Sequence, residues 1–235
     1  MSLIDETLKF ILAQGADLTG ACSLQKIPVV VRKNFTVGFS IAVALDPAVV
    51  AGIVEGPTME YYREYCWLNE RLDAISSAAA AFTRAKGFAV DRWGATDDRI
   101  YGRHQTDLPH KTLATLSGLG WIGKCALLVT KEFGAAVRLT SLLAAIDEPV
   151  PDHSIVDSRC GSCTECVERC PAGAPKGGNW KQGTEREEIF DPDKCRAKAR
   201  ELAKARTGIE CTFCGICIAS CPWTKRYISA SIHST

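Results

Sequence analysis

Apolar positions along this chain recur with two different periods, and the changes between them mark out its elements. Leu3 to Gln14 reads as a helix ended by Gly15, and the run GFSIAVALD from Gly38 to Asp46 reads as a buried strand. Pro57-Thr58 then opens a long helix. In it Tyr61, Tyr65, Leu68, Leu72, Ile75, Ala79 and Phe82 recur at alternating gaps of four and three, a continuous seam that stops at Gly87. At 1.5 Å per residue this helix runs roughly 40 Å, long for a domain of this size. It is read either as a central core helix or as the seam of a homodimer. Phe88 to Trp93 predicts a strand, Pro109 to Leu119 a short helix, and Ala126 to Thr130 and Ala135 to Ala145 further strands. Helices and strands mix without a βαβ rhythm or a GxGxxG fingerprint, so the predicted fold class is α+β.

The stretch PVPDHSIVD, Pro149 to Asp157, reads as a connection, dividing the chain into residues 1–150 and a cysteine-rich 151–235. Within the second part, Asp193 to Arg206 is alanine-rich and predicted helical, with six bases against two acids. The bases are spread around the helix, which favours a solvated helix over a docking stripe for an acidic redox partner. The chain of 235 residues is 46% hydrophobic and 23% charged, with a net charge of +1. That balance argues against a dedicated nucleic-acid binder. No stretch reaches the roughly 20 apolar residues needed to span a bilayer, so no membrane span is expected. The opening MSLIDETLKF has no leader-like apolar core, and 12 cysteines in an unsecreted chain point to metal binding in a reducing cytoplasm.

Eight of those cysteines fall in two matching runs. Cys160, Cys163, Cys166 and Cys170 precede Pro171, and Cys211, Cys214, Cys217 and Cys221 precede Pro222. Each reads Cys-x2-Cys-x2-Cys-x3-Cys-Pro, the spacing of bacterial two-cluster ferredoxins, in which the fourth cysteine ligates the other cluster. Two [4Fe–4S] clusters are therefore expected. By motif regularity Cys160, Cys163, Cys166 and Cys221 hold one, and Cys170, Cys211, Cys214 and Cys217 the other. A ninth cysteine, Cys195, lies in the insertion between the runs. The remaining three, Cys22, Cys66 and Cys125, have no partners at metal spacing and are read as core residues. For Cys125 the neighbouring Lys124 offers the alternative of a lowered thiol pKa.

The segment from Arg103 to Ala144, centred on Gly118-Leu119-Gly120-Trp121-Ile122-Gly123-Lys124, resembles the cobalamin-binding domain of epoxyqueuosine reductases. The phrase CIASCPWTK, Cys217 to Lys225, resembles the end of that family's ferredoxin module. Reductive dehalogenases share the architecture. The resemblance implies a nitroreductase-like α+β N-terminal domain that holds a corrinoid, and a ferredoxin-like C-terminal domain that feeds it electrons. It implies cofactor-binding roles for Gly118, Gly120, Trp121, Ile122, Gly123, Lys124 and Gln105. His104 stands where those reductases carry an acidic residue proposed as proton donor, fourteen positions before Gly118. It is the candidate catalytic residue, flanked by Tyr101 and Arg103. The family also tends to place a cluster ligand at the position of Cys195 and to lack one at Cys211, which leaves those two cysteines as alternatives.

The expected function is an iron–sulfur oxidoreductase. Reduced ferredoxin or a similar low-potential donor loads the clusters, and single electrons pass to cobalamin for reductive catalysis or corrinoid reactivation. The alternatives are an electron-transfer protein without corrinoid, with flavin as the other possible cofactor, and a short form of tRNA epoxyqueuosine reductase. Histidine at position 104 and the modest charge count against the last.

Overall fold

The computed structural model describes residues 1–95, 104–151, 153 and 155–232. In chain order its elements are α1 (Leu3–Ala13), β1 (Leu18–Ser23), α2 (Val29–Arg32), β2 (Val37–Ala44), α3 (Pro47–Ala51), α4 (Met59–Ala85), β3 (Val90–Trp93), α5 (His110–Leu116), β4 (Trp121–Ile122), β5 (Leu128–Val129), β6 (Val137–Ala144), α6 (Glu165–Glu168), α7 (Arg186–Ile189), α8 (Pro192–Thr207), α9 (Ile216–Ser220) and α10 (Pro222–Ile232). This is the α+β mixture that the pattern predicts. Two compact units form, neither continuous in sequence. The first takes Met1–Val43, Leu68–Leu119 and Arg138–Ile155, and the second Ala44–Trp67, Gly120–Val137 and Val156–Thr235.

The first unit is built on a sheet of order β1-β2-β6-β3, with β1–β2 and β3–β6 antiparallel. Strand β2 is buried along all but its last residue, as its unbroken apolar run requires. Strand β1, sequence LTGACS, carries too little apolar or branched side chain to read as a strand. Its Gly20 allows the close approach of α5, since a Cβ there would lie 2.7 Å from the Ser117 carbonyl oxygen. The His110 ring ties α5 down, 3.0 Å from both Ser141 Oγ and the Gly94 carbonyl.

Helix α4 is a core helix. Leu68, Leu72, Ile75 and Ala79 of its seam are buried within the single chain, and Phe82 stacks on Phe10 of α1 at 4.5 Å. Burial of this seam within the single chain fits the core reading of the helix.

In the second unit, the strand expected over Ala126 to Thr130 is reduced to the two residues of β5, which pair with β4 in the register Trp121↔Val129 and Ile122↔Leu128. The intervening chain is diverted from extended geometry, with Ala126 at φ 58°. Tyr61, Tyr62 and Tyr65 surround Phe213 at 5.2 to 6.5 Å. The Tyr227 hydroxyl of α10 donates to the Leu45 carbonyl at 2.8 Å. Two bases of α8 pair locally, Lys198 with Glu201 at 2.7 Å and Lys204 with Glu210 at 2.6 Å, and Arg206 donates to the Pro57 carbonyl. That pairing fits a solvated helix. Among the described residues no helix is long and apolar enough to cross a membrane.

Candidate metal centre

The first cysteine run forms a series of tight turns. Gly161 at φ 55° lets the chain reverse after Cys160, the Cys163 amide donates to the Cys160 carbonyl at 3.0 Å, and the single turn of α6 carries Cys166. The loop after Cys170 folds back over this run, with the Asn179 amide donating to the Gly161 carbonyl at 2.9 Å. Cys221 arrives from the opposite end of the motif pair, at the C-terminus of α9, where Pro222 opens α10.

All four meet at one cavity. Its volume is about 110 Å³, and Cys160, Cys163, Cys166 and Cys221 line it with Gly123, Lys124, Cys125, Val129, Arg159, Pro222 and Trp223. Cys221 of the second run thus lines the same cavity as three cysteines of the first. A Cβ on Gly123 would press Val129 at 2.9 Å and come within 3.7 Å of Cys160 Sγ. Trp121 meets Trp223 edge-on at 4.9 Å and lies beneath the Arg159 guanidinium at 5.6 Å.

A second group forms around Cys170. Its reach to Cys195 is set by the backbone: the Lys176 amide donates to the Ile189 carbonyl and the Asp191 amide to the Ala174 carbonyl, both at 2.8 Å, so the chain following Cys170 runs beside the start of α8. The Asp191 side chain then caps that helix, accepting from the Asp193 and Lys194 amides at 3.1 Å. Burial, then the charges of Cys170 and Cys214, push the Cys195 thiol up to about 11. Burial also raises Cys214, partly offset by the Ile216 amide and reinforced by Cys170. Cys211 is placed differently. It acts on Tyr62, whose hydroxyl is held above its ordinary range first by a hydrogen bond with Cys66 and to a lesser degree by the charge of Cys211.

Cys125 links the two groups. It hydrogen-bonds with Cys166, which favours its thiolate, but Cys217 and complete burial outweigh that and hold the thiol well above its ordinary value. The lowered pKa that its neighbour Lys124 offered is thereby overturned. Cys166 is itself raised, first by Cys125 and then by burial. Crowded, buried thiols resist ionisation because each charge is both desolvated and repelled. Bound iron reverses that balance, since a coordinating thiol is deprotonated outright. Among the described residues no three His, Cys, Asp or Glu side chains converge on a single-ion site. Four thiolates around a four-iron cube each meet a different iron and need no common point. A soft, sulfur-only donor set spread around a cavity thus fits the cube.

The residues that the resemblance assigned to a corrinoid fall in both units. Tyr101 and Arg103 lie outside the described residues. His104, at φ 58°, is exposed and Gln105 half-buried, both in the first unit with the exposed Gly118. Trp121, Ile122, Gly123 and Lys124 are buried in the second unit. Ile122 packs with Ala126 and Ile189, and Gly123 and Lys124 face the cysteine cavity. The Cβ that Gly120 lacks would collide with the Val129 carbonyl oxygen. None of these four buried residues offers a face to a large planar ligand. Arg159, Trp223 and Cys125 were not legible as cavity residues, because only the folding of residues 120–137 against the cysteine runs places them there.

Residues 159–224 match the family model described as a 4Fe-4S double cluster binding domain, which spans both cysteine runs and Cys195. Two [4Fe–4S] clusters belong to this chain's chemistry. An epoxyqueuosine reductase of Gloeobacter violaceus is 32% identical over 129 residues, covering 49% of this chain and 36% of that protein. Those of Bacillus anthracis and Escherichia coli are 35% and 41% identical over 68 and 64 residues, covering 29% and 27% of this chain and 17% and 16% of theirs. The chain spans little more than a third of these curated relatives at most. A catabolic reductive dehalogenase solved with 3-bromo-4-hydroxybenzoic acid superposes with a TM-score of 0.71 at 18% identity, over 95% of this chain and 33% of that one. An epoxyqueuosine reductase solved with a modified tRNA-Tyr stem loop gives 0.61 at 18% identity, over 94% of this chain and 65% of that one. The resemblance drawn from the motifs is borne out, and the structural likeness establishes the fold. A neighbour solved with tRNA lends no support to the expectation against nucleic acid.

Proposed function

We propose that this chain is an iron–sulfur oxidoreductase that receives single electrons from reduced ferredoxin or a similar donor and relays them through two [4Fe–4S] clusters to an acceptor used in reductive chemistry. The observation that carries this reading is the convergence of Cys160, Cys163, Cys166 and Cys221, from two distant runs, on one cavity. Cys170, Cys214, Cys217 and Cys195 hold the second cluster, and Cys211 is the spare thiol. The grouping of Cys195 with Cys170 and Cys214, and of Cys211 with Tyr62, supports that choice. Cysteine-ligated clusters supply one-electron storage over a wide range of potential, which burial and hydrogen bonding to sulfur tune. The chain's own part is to hold the thiolates, to exclude water by packing Trp223 and Val129 around them, and to keep Cys125 between the two groups.

Cobalamin is the first candidate acceptor. The dehalogenase likeness favours it, one such structure being described in terms of B12-dependent dehalogenation, and a nitroreductase-like N-terminal domain is the fold that accompanies it. Because the buried part of the Gly118–Lys124 segment does not fit such a ligand, no step here runs through the corrinoid. A short-form tRNA epoxyqueuosine reductase is the second reading, favoured by the 32% identity that extends over half the chain. The test is to titrate cobalamin, flavin and an epoxyqueuosine-modified stem loop separately into the anaerobically reconstituted protein, following the visible spectrum during cluster reduction. Cobalt reduction that depends on the clusters supports the first reading. Turnover of the stem loop supports the second, and tight flavin binding alone overturns both.

A further inference from the structure

Lys124 is a buried cation that meets no carboxylate among the described residues. It is 4% exposed, its ammonium donates to the Cys163 carbonyl oxygen at 2.9 Å, and no Asp or Glu is among the residues lining its cavity. Arg159, the other base on that cavity, is exposed. Removing an ammonium from water is unfavourable unless an opposite charge and hydrogen bonds replace its hydration. A carbonyl supplies one hydrogen bond of the three that an ammonium donates. The anions that would meet it there are the cysteine thiolates of a bound cluster.

We propose that the Lys124 ammonium is the fixed counter-charge of the cluster held by Cys160, Cys163, Cys166 and Cys221, and that it raises that cluster's reduction potential. The inference rests on the assignment of those four ligands made above. Reduction adds one electron, and so one negative charge, to an already anionic centre, with no proton taken up. A nearby buried cation stabilises the reduced form more than the oxidised one, and net charge is among the determinants of cluster potential. The same charge would separate the two clusters in potential, since Cys170, Cys195 and Cys214 lie outside the residues lining this cavity.

The test is a mediated redox titration of the reconstituted full chain, followed by electron paramagnetic resonance, on wild type and on Lys124→Met, Lys124→Gln and Lys124→Arg. The glutamine retains an N–H for the Cys163 carbonyl without the charge. In both neutral variants the equilibrium constant for reduction of one cluster should fall about tenfold or more, ~59 mV for a one-electron couple. The other cluster should stay within about twofold, and the arginine variant close to wild type. Neutral variants that hold full iron and titrate at wild-type potentials would overturn the proposal. If the neutral variants lose one cluster's iron, retention by Lys124→Arg supports the counter-charge, and equal loss in Lys124→Arg overturns it in favour of a space-filling role. Wild-type protein that shows no pair of four-iron signals overturns the ligand assignment itself, an outcome distinct from unchanged potentials.

Discussion

Gly120→Ala separates two explanations for the glycines in the Gly118–Lys124 segment, close approach of a flat ligand and close packing of a hairpin. In the structure the added methyl has nowhere to go. It would collide with the Val129 carbonyl oxygen, lie 2.9 Å from the Val129 carbonyl carbon and 3.3 Å from Thr130 Cα, all backbone atoms that cannot rotate away. Relief requires β5 to move off β4, which disturbs the Trp121↔Val129 and Ile122↔Leu128 pairing. Overpacking costs about 1–3 kcal/mol, and two weakened backbone hydrogen bonds add about 1 kcal/mol each, for a total of about 3–5 kcal/mol. With roughly 2–4 °C per kcal/mol at this chain length, the apparent unfolding temperature should fall by about 6–20 °C. Gly87→Ala is the control: φ there is +91° and nothing lies within 4 Å, so only the backbone conformation costs, about 1–2 kcal/mol. Anaerobic thermal unfolding of the two variants, with iron content and cobalamin binding measured on each, decides the matter. Gly120→Ala no less stable than Gly87→Ala, but deficient in cobalamin binding, would refute the packing explanation.

Cys195→Ser should cost the protein one cluster's iron, while Cys211→Ser should leave iron content and spectrum unchanged; the reverse result would restore the ligand set of the regular motif. Leu72→Ala, at a fully buried position of α4, should destabilise by about 2–5 kcal/mol in denaturant titration without altering the mass seen by light scattering. A change of oligomeric state in that variant would return α4 to an interface. The Cys22 thiol is raised by burial from 9.0 to about 11, so the folded state holds its proton where the unfolded chain releases it. Stability therefore falls as pH rises from 9 toward 11, by about 3 kcal/mol at 1.36 kcal/mol per pH unit. Urea unfolding at pH 8 and pH 10.5 should show a smaller loss in Cys22→Ala than in wild type, the difference being the share of Cys22; equal losses in the two would refute it.

The double-cluster domain was legible because iron–sulfur chemistry is written in short spacings: three thiols on one turn need gaps of two residues, and a proline follows each fourth cysteine. The α4 seam and the β2 run were legible for a similar reason, a local period that burial enforces. Strand β1 was not, because a strand of small residues owes its place to its neighbours Phe39 and Ser117 rather than to its own side chains. The placement of Cys195 depends on a hydrogen bond between Asp191 and Ala174, seventeen residues apart, which leaves no periodic trace. Lys124 looked like a ligand contact of the segment it belongs to, and only the cavity shows that its charge faces cysteines. The interleaving of the two units is of the same kind, since contacts between distant segments carry no signature in either segment alone.

The account stands on two four-iron clusters held by cysteines drawn from both runs. Iron and sulfide quantitation on the anaerobically reconstituted protein, paired with Mössbauer spectra of wild type and Cys221→Ser, tests this most directly. About eight irons in wild type, all in four-iron clusters, and a Cys221→Ser spectrum altered in the cluster of Cys160, Cys163 and Cys166 are the predicted results. About four irons, or a Cys221→Ser change confined to the cluster of Cys214 and Cys217, would contradict it.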